Sequence, residues 1–272
     1  MQCVLITGAN GGMGKATVTR FAESGYRVFA LDRTLWEARE NVVPLQADVT
    51  NEADVAAAFD AVRAETDELT AIIHLAGMYL LDSLAELSPA LFERAFQVNV
   101  GGAFLINRTF LPLLKPGAKI ILVTSELAVR DPLPFTGLYG ITKTALDKYA
   151  YSLRMELQLL DVSVSVLRAG AVDTGMLGES TRQLDAFCDR TKLYACNAKR
   201  FRAIVENVEA RRIPALKIAE KLLRIASRKK PRFAYAINRN PLLILLDLLP
   251  KRLRFRIIRK VLESPAESRK GG

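Results

Sequence analysis

Short apolar runs alternate with amphipathic segments through the first two-thirds of the chain. Several runs are apolar throughout, which predicts strands that helices cover on both faces. The predicted strands are Cys3–Thr7, Arg27–Leu31, Val43–Gln46, Ala71–Leu75, Lys119–Thr124 and Ser163–Arg168. The predicted helices between them are Lys15–Ser24, Asp54–Glu65, Pro89–Leu111 and Gly140–Leu160. This alternation predicts an α/β fold built on a doubly wound parallel sheet.

The pattern changes after about residue 176. The remaining elements that we expect are a polar helix with loops over 177–212, a helix over Ile213–Ser227, a last strand over Arg232–Ile237, and an apolar, basic segment over Pro241–Leu262 that Pro250 interrupts. The longest apolar stretch, Leu242–Leu249, contains Asp247. It is much shorter than the roughly 20 residues that a membrane-spanning helix needs.

The charge of the chain is unevenly distributed. Residues 1–181 contain 15 basic and 21 acidic side chains, whereas residues 182–272 contain 24 basic and 8 acidic ones. The net charge of +10 therefore belongs to the last third. A length of 272 residues suits one α/β domain.

Composition narrows the chemistry and the setting. The three cysteines lack the spacing of a metal site, which indicates a reducing, cytoplasmic environment, and we see no signal peptide at the start of the chain. With His74 as the single histidine, a zinc site or a histidine-based triad is not expected, and we predict no metal. No nucleic-acid-binding module appears, so a nucleic-acid partner is not expected either.

A glycine-rich loop, Thr7–Gly14, follows the first strand and opens the first helix. Gly8, Gly12 and Gly14 let the backbone turn tightly and approach a pyrophosphate, whose charge the amino end of the helix would stabilise. A purely structural turn is the alternative. The strand–turn–helix context favours a dinucleotide site, to which Asn10 and Met13 of the same loop would contribute.

Asp32 ends the second predicted strand at the interval expected after the glycines. A carboxylate there accepts hydrogen bonds from the adenosine ribose and repels a 2′-phosphate, which favours NAD over NADP. Arg33 follows directly and softens that repulsion, so NADP stays open. The alternative is that the two side chains form a solvated pair at the end of the strand.

The glycine spacing TGxxxGxG, followed downstream by Tyr139-Gly140-Ile141-Thr142-Lys143, resembles the short-chain dehydrogenase/reductase family over residues 1–176. The resemblance implies a Rossmann-like fold and a homo-oligomer, a dimer or tetramer. It also implies roles for Asp48 and Val49 at the adenine, for Ala76 and Gly77 beside the cofactor, for Asn99 and Ser125 in catalysis, and for Val172 and Thr174 in the loop that holds the nicotinamide carboxamide.

Tyr139 and Lys143 are four residues apart and would share one helix face. A free tyrosine has a pKa near 10, and a nearby ammonium together with the nicotinamide ring would lower it, so Tyr139 is the expected acid/base. Ser125 would stabilise charge on the substrate oxygen, and Asn99 would position a water that relays protons from Lys143. The alternatives are a helix-capping role for Ser125 and a backbone-satisfying role for Asn99 in a kinked helix.

Three departures from the family pattern stand out. His74-Leu75 replaces two asparagines, and we expect His74 to be a hydrogen-bonded core residue. Ala169 replaces a proline beside the nicotinamide loop. The separation of Ser125 from Tyr139 is one residue longer than is common, and the loop Asp131–Phe135 would absorb it.

The last third of the chain is expected to recognise the substrate. We predict one domain over 1–272, divided into a cofactor-binding and catalytic core (1–176), a substrate lid with the last strand (177–240) and a basic, apolar tail (241–272). The apolar residues expected to line a cleft are Leu177, Leu184, Phe187, Leu193, Tyr194 and Phe201. The tail resembles those of retinol- and 17-beta-hydroxysteroid-dehydrogenase-like members of the family.

These features predict an oxidoreductase that interconverts a secondary alcohol and a ketone on a steroid-, retinoid- or lipid-like substrate. The tail would lie in a membrane interface through 241–262, or pack over the pocket with its cations in water. Two rival functions are a dinucleotide-binding sensor or scaffold without turnover, and an epimerase- or dehydratase-like enzyme acting on sugar nucleotides.

Overall fold

A seven-stranded parallel sheet forms the centre of the molecule. The computed structural model describes residues 1–174, 177–209 and 211–263. The strands are β1 (Cys3–Thr7), β2 (Arg27–Asp32), β3 (Val42–Gln46), β4 (Ala71–His74), β5 (Lys119–Ser125), β6 (Ser163–Ala169), β7 (Val172–Asp173), β8 (Ile213–Pro214) and β9 (Ala234–Ile237). The large sheet has the order β3-β2-β1-β4-β5-β6-β9, and β7 and β8 pair separately.

The strand order reverses between β1 and β4, which pair in register from Val4 with Ala71 to Thr7 with His74. At such a switch point the loops that leave the two carboxyl ends diverge and open a crevice. The residues that follow β1 and β4 therefore border the site where a dinucleotide would bind.

Helices cover both faces of the sheet. They are α1 (Gly12–Glu23), α2 (Glu52–Glu65), α3 (Pro89–Phe96), α4 (Gly102–Phe110), α5 (Gly137–Leu157), α6 (Leu177–Arg190), α7 (Ala195–Glu209), α8 (Ala215–Ala226), α9 (Pro241–Asp247) and α10 (Lys251–Leu262). Side chains alternate along β1: Leu5 packs in the cluster that contains α2, α4 and α5 residues, whereas Val4 and Ile6 pack in the cluster of α1 and α8. The two clusters form one core on each side of the sheet.

The predicted α/β fold with a doubly wound parallel sheet is confirmed, and the bounds of the first six predicted strands agree within one residue. The last strand was predicted as Arg232–Ile237 but begins at Ala234. The predicted helix Pro89–Leu111 differs, because a π-helical turn over Gln97–Gly101 separates α3 from α4. Such turns occur mostly at functional sites.

A buried ion pair fixes α5 against β6. Arg168 donates from Nε to Asp147 Oδ2 at 2.9 Å and from Nη2 to Asp147 Oδ1 at 2.8 Å. Thr124, near the end of β5, donates to the same carboxylate at 3.3 Å. This bidentate pair holds the helix that carries Tyr139 and Lys143 at a defined position on the sheet.

Candidate active site

Ser125 and Tyr139 meet at the carboxyl end of the sheet. Ser125 is the last residue of β5, and Tyr139 lies in the first turn of α5. Both side chains line the same cavity, and the Ser125 hydroxyl favours a lower pKa of the Tyr139 phenol. The Ser125 hydroxyl also accepts a hydrogen bond from Leu127 N at 3.2 Å and caps the short 3₁₀ turn Glu126–Val129. Ser125 therefore has the capping contact that the sequence offered as an alternative, in addition to its place beside Tyr139.

Lys143 lies one helical turn after Tyr139 and is buried. Its Nζ donates to Val123 O at 3.3 Å and is 5.7 Å from the centroid of the Tyr139 ring. Burial lowers the pKa of Lys143 to about 8. Burial also raises the pKa of Tyr139 to about 12, although the Ser125 hydroxyl opposes the change. The sequence predicted a pKa lowered by Lys143 together with the nicotinamide ring. In the protein alone the pKa is raised instead, because removing the phenol from water favours its neutral form.

Asn99 occupies the π-helical turn and ties three elements together. It accepts a hydrogen bond from Met78 N at 2.7 Å and donates to Met78 O at 3.0 Å. Its Nδ2 also donates to Thr142 Oγ1 at 3.0 Å, and Thr142 in turn donates to Tyr139 O at 2.9 Å. The sequence reasoning missed Thr142, although its place inside the Tyr139–Lys143 motif was the available indication.

Gly77 lies between Asn99 and Lys143. A Cβ atom at Gly77 would be 3.1 Å from Asn99 Oδ1 and 3.4 Å from Lys143 Nζ. A larger residue would therefore displace the two polar groups behind Tyr139. Ala76, the preceding residue, donates from its backbone N to Thr7 Oγ1 at 3.3 Å, so the turn after β4 is held against the glycine-rich loop.

The glycine-rich loop is packed so closely that side chains are excluded. Gly8 has a φ of +69°, and a Cβ there would be 2.5 Å from Ala76 N. A Cβ at Gly12 would be 2.0 Å from Thr174 O, and one at Gly14 would be 2.0 Å from Gly8 O. Thr174 of the predicted nicotinamide loop thus lies directly on the glycine-rich loop.

The amino end of α1 suits an anion. Its N-cap residue, Gly11, makes no capping hydrogen bond, and the first turn contains no acidic residue within the described chain. By contrast, Asn51 caps α2 and Ser88 caps α3 with their side chains. The first backbone N–H groups of α1 are therefore left for another acceptor, so these residues fit the pyrophosphate of a dinucleotide.

Asp32 ends β2 beside this loop and partly fixes it. Its carboxylate accepts hydrogen bonds from Asn10 N at 2.9 Å and Thr34 N at 3.3 Å. The Asn10 side chain donates to Thr34 Oγ1 at 3.0 Å. Arg33 is exposed to solvent, and Met13 lines the cavity described below. Asp32 therefore lies at the rim of the predicted adenosine site with partners of its own.

Asp48 carries a network that the sequence did not indicate. It accepts hydrogen bonds from Thr50 N at 2.9 Å and from Arg94 Nη2 at 2.9 Å. Burial raises the pKa of Asp48, but the bonds from Thr50 and Arg94 outweigh it and bring the pKa to about 2. The neighbouring Val49 is buried against Gly102, where a Cβ would be 2.6 Å from Val49 Cγ2. Asp48 thus stays ionised, and one of its oxygens already binds Arg94.

A cavity of about 250 Å³ adjoins Ser125 and Tyr139. Val172, which pairs with Ile213, and Thr174 reach it from the nicotinamide loop. The polar lining includes Glu126, Arg212 and Asn240. Its apolar and aromatic lining consists of Met13, Tyr79, Leu127, Leu133, Phe201, Ile204, Val205 and Leu243 with the backbone around Ala169.

The predicted lining of the lid is only partly correct. Of the six residues named from sequence, Phe201 lines the cavity. Leu184 and Phe187 instead pack in a cluster with Phe135, Tyr194 packs against that cluster, and Leu193 is 65% exposed. Leu184 and Phe187 of α6 belong to the same buried cluster as Phe201 of α7. They therefore pack the two helices of the lid against each other. The side chain of Leu177 lies outside the described residues.

His74 is a core residue, as predicted. Its Nε2 is 2.8 Å from Asn107 Oδ1, and Asn107 Nδ2 donates to Tyr149 Oη at 3.1 Å. Burial lowers the pKa of His74 to about 4, so the ring is neutral at physiological pH.

The tail is tied to the segment between Ser125 and Tyr139. Arg254 of α10 is buried and donates to Asp131 Oδ2 at 2.8 Å and to Asp247 O at 3.1 Å. Arg130 forms a further ion pair with Asp247 of α9. No helix in the described ranges has the length and apolar character to cross a bilayer. This ionic cluster was missed because the two segments that it joins, around Asp131 and around Arg254, are more than 100 residues apart in sequence.

Comparisons with known proteins agree with this architecture. The family model described as short chain dehydrogenase matches residues 2–185, so the tail lies beyond the match. The chain is 33% identical over 175 residues to 2,3-dihydro-2,3-dihydroxybenzoate dehydrogenase of Escherichia coli, covering 64% of this chain and 70% of the relative. It is 27% identical to 3-ketodihydrosphingosine reductase of Bacteroides thetaiotaomicron, covering 85% of this chain and 86% of the relative.

Solved structures share the fold. The 3-ketoacyl-(acyl-carrier-protein) reductase of Brucella melitensis, solved with NADH, superposes with a TM-score of 0.70 at 23% identity over 87% of this chain and 96% of that one. The family match over more than half of the chain, together with dehydrogenase and reductase relatives, identifies the type of chemistry. The chain belongs to the short-chain dehydrogenase family and is an oxidoreductase that acts on CH–OH groups with NAD or NADP.

Proposed function

We propose that the protein interconverts a secondary alcohol and a ketone on a hydrophobic substrate, with Tyr139 as the acid/base and NAD as the preferred cofactor. One observation carries the proposal: Tyr139 and Ser125 line the same cavity, which Thr174 joins to the glycine-rich loop. When bound, NAD or NADP supplies or accepts the hydride.

Each polar group has a separate task in this proposal. Ser125 donates a hydrogen bond to the substrate oxygen and stabilises the charge that develops on it. Tyr139 gives a proton to that oxygen during reduction and takes it back during oxidation. With a pKa of about 12, the phenol is protonated at neutral pH and ready to act as the acid. Lys143 supplies an ammonium close to the ring, and Asn99 positions a water on the path by which the proton is replaced.

The cofactor would be held by residues of the glycine-rich loop and the strand ends that surround it. The uncapped amino end of α1 would take the pyrophosphate, and Asp32 would take the adenosine ribose, with Arg33 beside it. The remaining positions in this proposal are Gly8, Asn10, Gly12, Met13, Gly14, Asp48, Val49, Ala76, Gly77, Tyr139, Lys143, Val172 and Thr174. Asp48 Oδ1 accepts from Thr50 N and Thr50 Oγ1, whereas Oδ2 accepts from Arg94 Nη2, so we assign the adenine contact to Oδ2 and to Val49.

The lining of the cavity supports an apolar substrate. Aliphatic and aromatic side chains from the lid and tail, among them Phe201, Ile204 and Leu243, face the two reactive groups. One relative, 86% of whose length matches this chain, is named 3-ketodihydrosphingosine reductase. A steroid, a retinoid or a lipid-derived ketone would suit this cavity.

The tail is proposed to lie at a membrane interface. Leu242, Leu245, Leu248 and Phe255 are 60%, 61%, 76% and 65% exposed, and α10 also carries exposed cations. Such a helix pair would place apolar side chains among lipids and cations against anionic headgroups. Co-sedimentation with anionic and neutral vesicles, with and without residues 241–272, tests this; equal pelleting of both proteins would contradict it.

We also propose that the protein forms a homo-oligomer and works in a reducing, cytoplasmic environment. Phe104 on α4 and Tyr151 and Met155 on α5 are more than half exposed, which supports a homo-oligomer that buries these helices. Analytical ultracentrifugation showing only a monomer would overturn that proposal. The three cysteines are free thiols, which supports a reducing, cytoplasmic setting.

The function is tested by turnover. NADH formation is measured with a panel of steroids, retinol and simple secondary alcohols for the wild type and for Tyr139→Phe. We expect turnover of the bulky alcohols by the wild type and a loss of about 10²–10⁴-fold in Tyr139→Phe, because the phenylalanine has no proton to transfer. Unchanged dinucleotide binding by the variant is the control. Full activity of Tyr139→Phe would refute the assignment.

A further inference from the structure

Glu126 is a buried carboxyl group that the proposed chemistry does not use. It follows Ser125 directly in the chain, is only 7% exposed, and lines the same cavity as Ser125 and Tyr139. Glutamate is almost never buried without partners, because removing a carboxylate from water is costly. Its position at the wall of the cavity therefore calls for an explanation.

The two carboxyl oxygens of Glu126 are in different surroundings. Oε2 accepts a hydrogen bond from Asn240 N at 2.8 Å, at the start of α9. Oε1 lies beside Gly170, where a Cβ would be 3.1 Å away. Among the described residues, no hydrogen bond reaches Oε1. The carboxyl group thus has acceptor capacity left on the side of the nicotinamide loop.

The charges around Glu126 do not remove this capacity. Burial raises the pKa of Glu126, whereas the bond from Asn240 and the charges of Arg130 and Arg239 lower it, and burial is the stronger effect. An acceptor in such surroundings binds a donor more strongly than an exposed one does, because water competes less.

We propose that Glu126 binds a hydrogen-bond donor of the substrate, a hydroxyl or an ammonium group, on a carbon next to the one that is oxidised or reduced. The inference rests on the proposed function. Ser125 and Glu126 are adjacent in the chain and both line the same cavity, so one bound molecule can contact both side chains. The substrate would then combine an apolar body with a vicinal polar pair: the reacting oxygen at Ser125 and the donor at Glu126.

A purely structural role explains less. Holding the start of α9 through Asn240 requires one acceptor oxygen, which the amide of a glutamine would also provide. Glutamine would, however, present either a weaker neutral acceptor or an amide donor to the cavity. The variant Glu126→Gln therefore separates the structural role from the binding role.

The test compares three apolar ketones that differ only at the neighbouring carbon: the parent ketone, its hydroxyl derivative and its amine derivative. Wild type, Glu126→Gln and the control Glu220→Gln, whose site on α8 is exposed, are assayed as full-length enzymes with NADH. We expect wild type and the control to prefer a donor-bearing ketone by about 10–100-fold in kcat/KM, mainly through KM. Glu126→Gln should lose most of this preference, so that its kcat/KM values for the three ketones become nearly equal. If the natural donor is an ammonium group, Glu126→Gln should lower kcat/KM most for the amine derivative.

The outcomes are distinct. Equal kcat/KM for the three ketones in the wild type would overturn the role of Glu126 alone, and so would a preference that survives in Glu126→Gln. The wild-type comparison does not depend on how the variant folds. Absence of turnover for all three ketones would overturn the proposed function and this role with it.

Discussion

The cofactor side and the substrate side of the cavity are built in different ways. On the cofactor side, backbone geometry sets the shape: Gly8, Gly12 and Gly14 each occupy a place where a Cβ would collide with main chain. On the substrate side, side chains from distant segments set it, as in the pair formed by Arg254 and Asp131. A site made of backbone requires a short, local motif, whereas a pocket made of side chains tolerates many sequences.

One contact on each side links a distant segment to the wall of the cavity. Thr174 O lies against Gly12 on the cofactor side, and Glu126 binds Asn240 N on the substrate side. The predicted nicotinamide loop and the start of α9 therefore both border the cavity that Ser125 and Tyr139 line. A substitution on the substrate side should therefore leave the affinity for NADH unchanged, and this separation can be tested.

The largest effect is expected from Gly12→Val. The new side chain would overlap Thr174 and push the loop out of position, so NADH affinity should fall by about 100-fold or more. Isothermal titration calorimetry with NADH measures this loss. Gly25→Val is the matched control for steric bulk, since nothing lies within 4 Å of a Cβ there, although its φ of +82° adds strain. Wild-type affinity in Gly12→Val would show that the cofactor side is not built on close backbone packing.

A smaller effect is expected from Arg254→Met on the substrate side. Losing the bonds to Asp131 and Asp247 should lower the free energy of unfolding by about 1–3 kcal/mol, since Asp131 and Asp247 are partly solvated. The position of α9 should loosen, so kcat/KM should fall by about tenfold while NADH affinity is kept. Chemical denaturation and steady-state kinetics measure the two quantities. Arg252→Met, at an exposed site of the same helix, is the control. An equal loss of NADH affinity would contradict the separation of the two sides.

The smallest effect is expected from Asp32→Ala. Removing the carboxylate removes the repulsion of a 2′-phosphate, so the proposed preference for NADH over NADPH should narrow by about fivefold to tenfold. The ratio of kcat/KM for the two cofactors measures it. Asp32→Asn retains an acceptor for Asn10 N and separates the loss of charge from the loss of loop support. An unchanged ratio in both variants would remove Asp32 from cofactor selection.

The same division explains what the sequence could predict. The bounds of the first six predicted strands were accurate because continuous apolar runs between turns leave few alternatives for a buried parallel strand. The meeting of Ser125 with Tyr139 followed from motif order. The hydrogen bond between Asn99 and Thr142 could not be predicted, because no sequence pattern marks the π-helical turn that orients the Asn99 side chain. Glu126 was missed because its burial depends on Asn240, which is 114 residues away.

The pKa of Tyr139 could not be predicted from sequence either. Spacing brings Lys143 near the ring, but the degree of burial of both groups is a property of the folded chain. Burial gives a phenol that is hard to ionise and an ammonium that is easier to deprotonate. The positive charge of an oxidised nicotinamide ring would favour the phenolate.

The most direct test of this account is the ionisation of Tyr139 itself. The ultraviolet absorbance of tyrosinate is titrated against pH in wild type and Tyr139→Phe, with and without NAD, and the two proteins are subtracted. We predict no Tyr139 component at pH 10 in the protein alone, because its pKa is about 12, and a component that appears at lower pH once NAD is bound. A Tyr139 that ionises near its usual pKa of about 10 whether or not NAD is present would contradict the account.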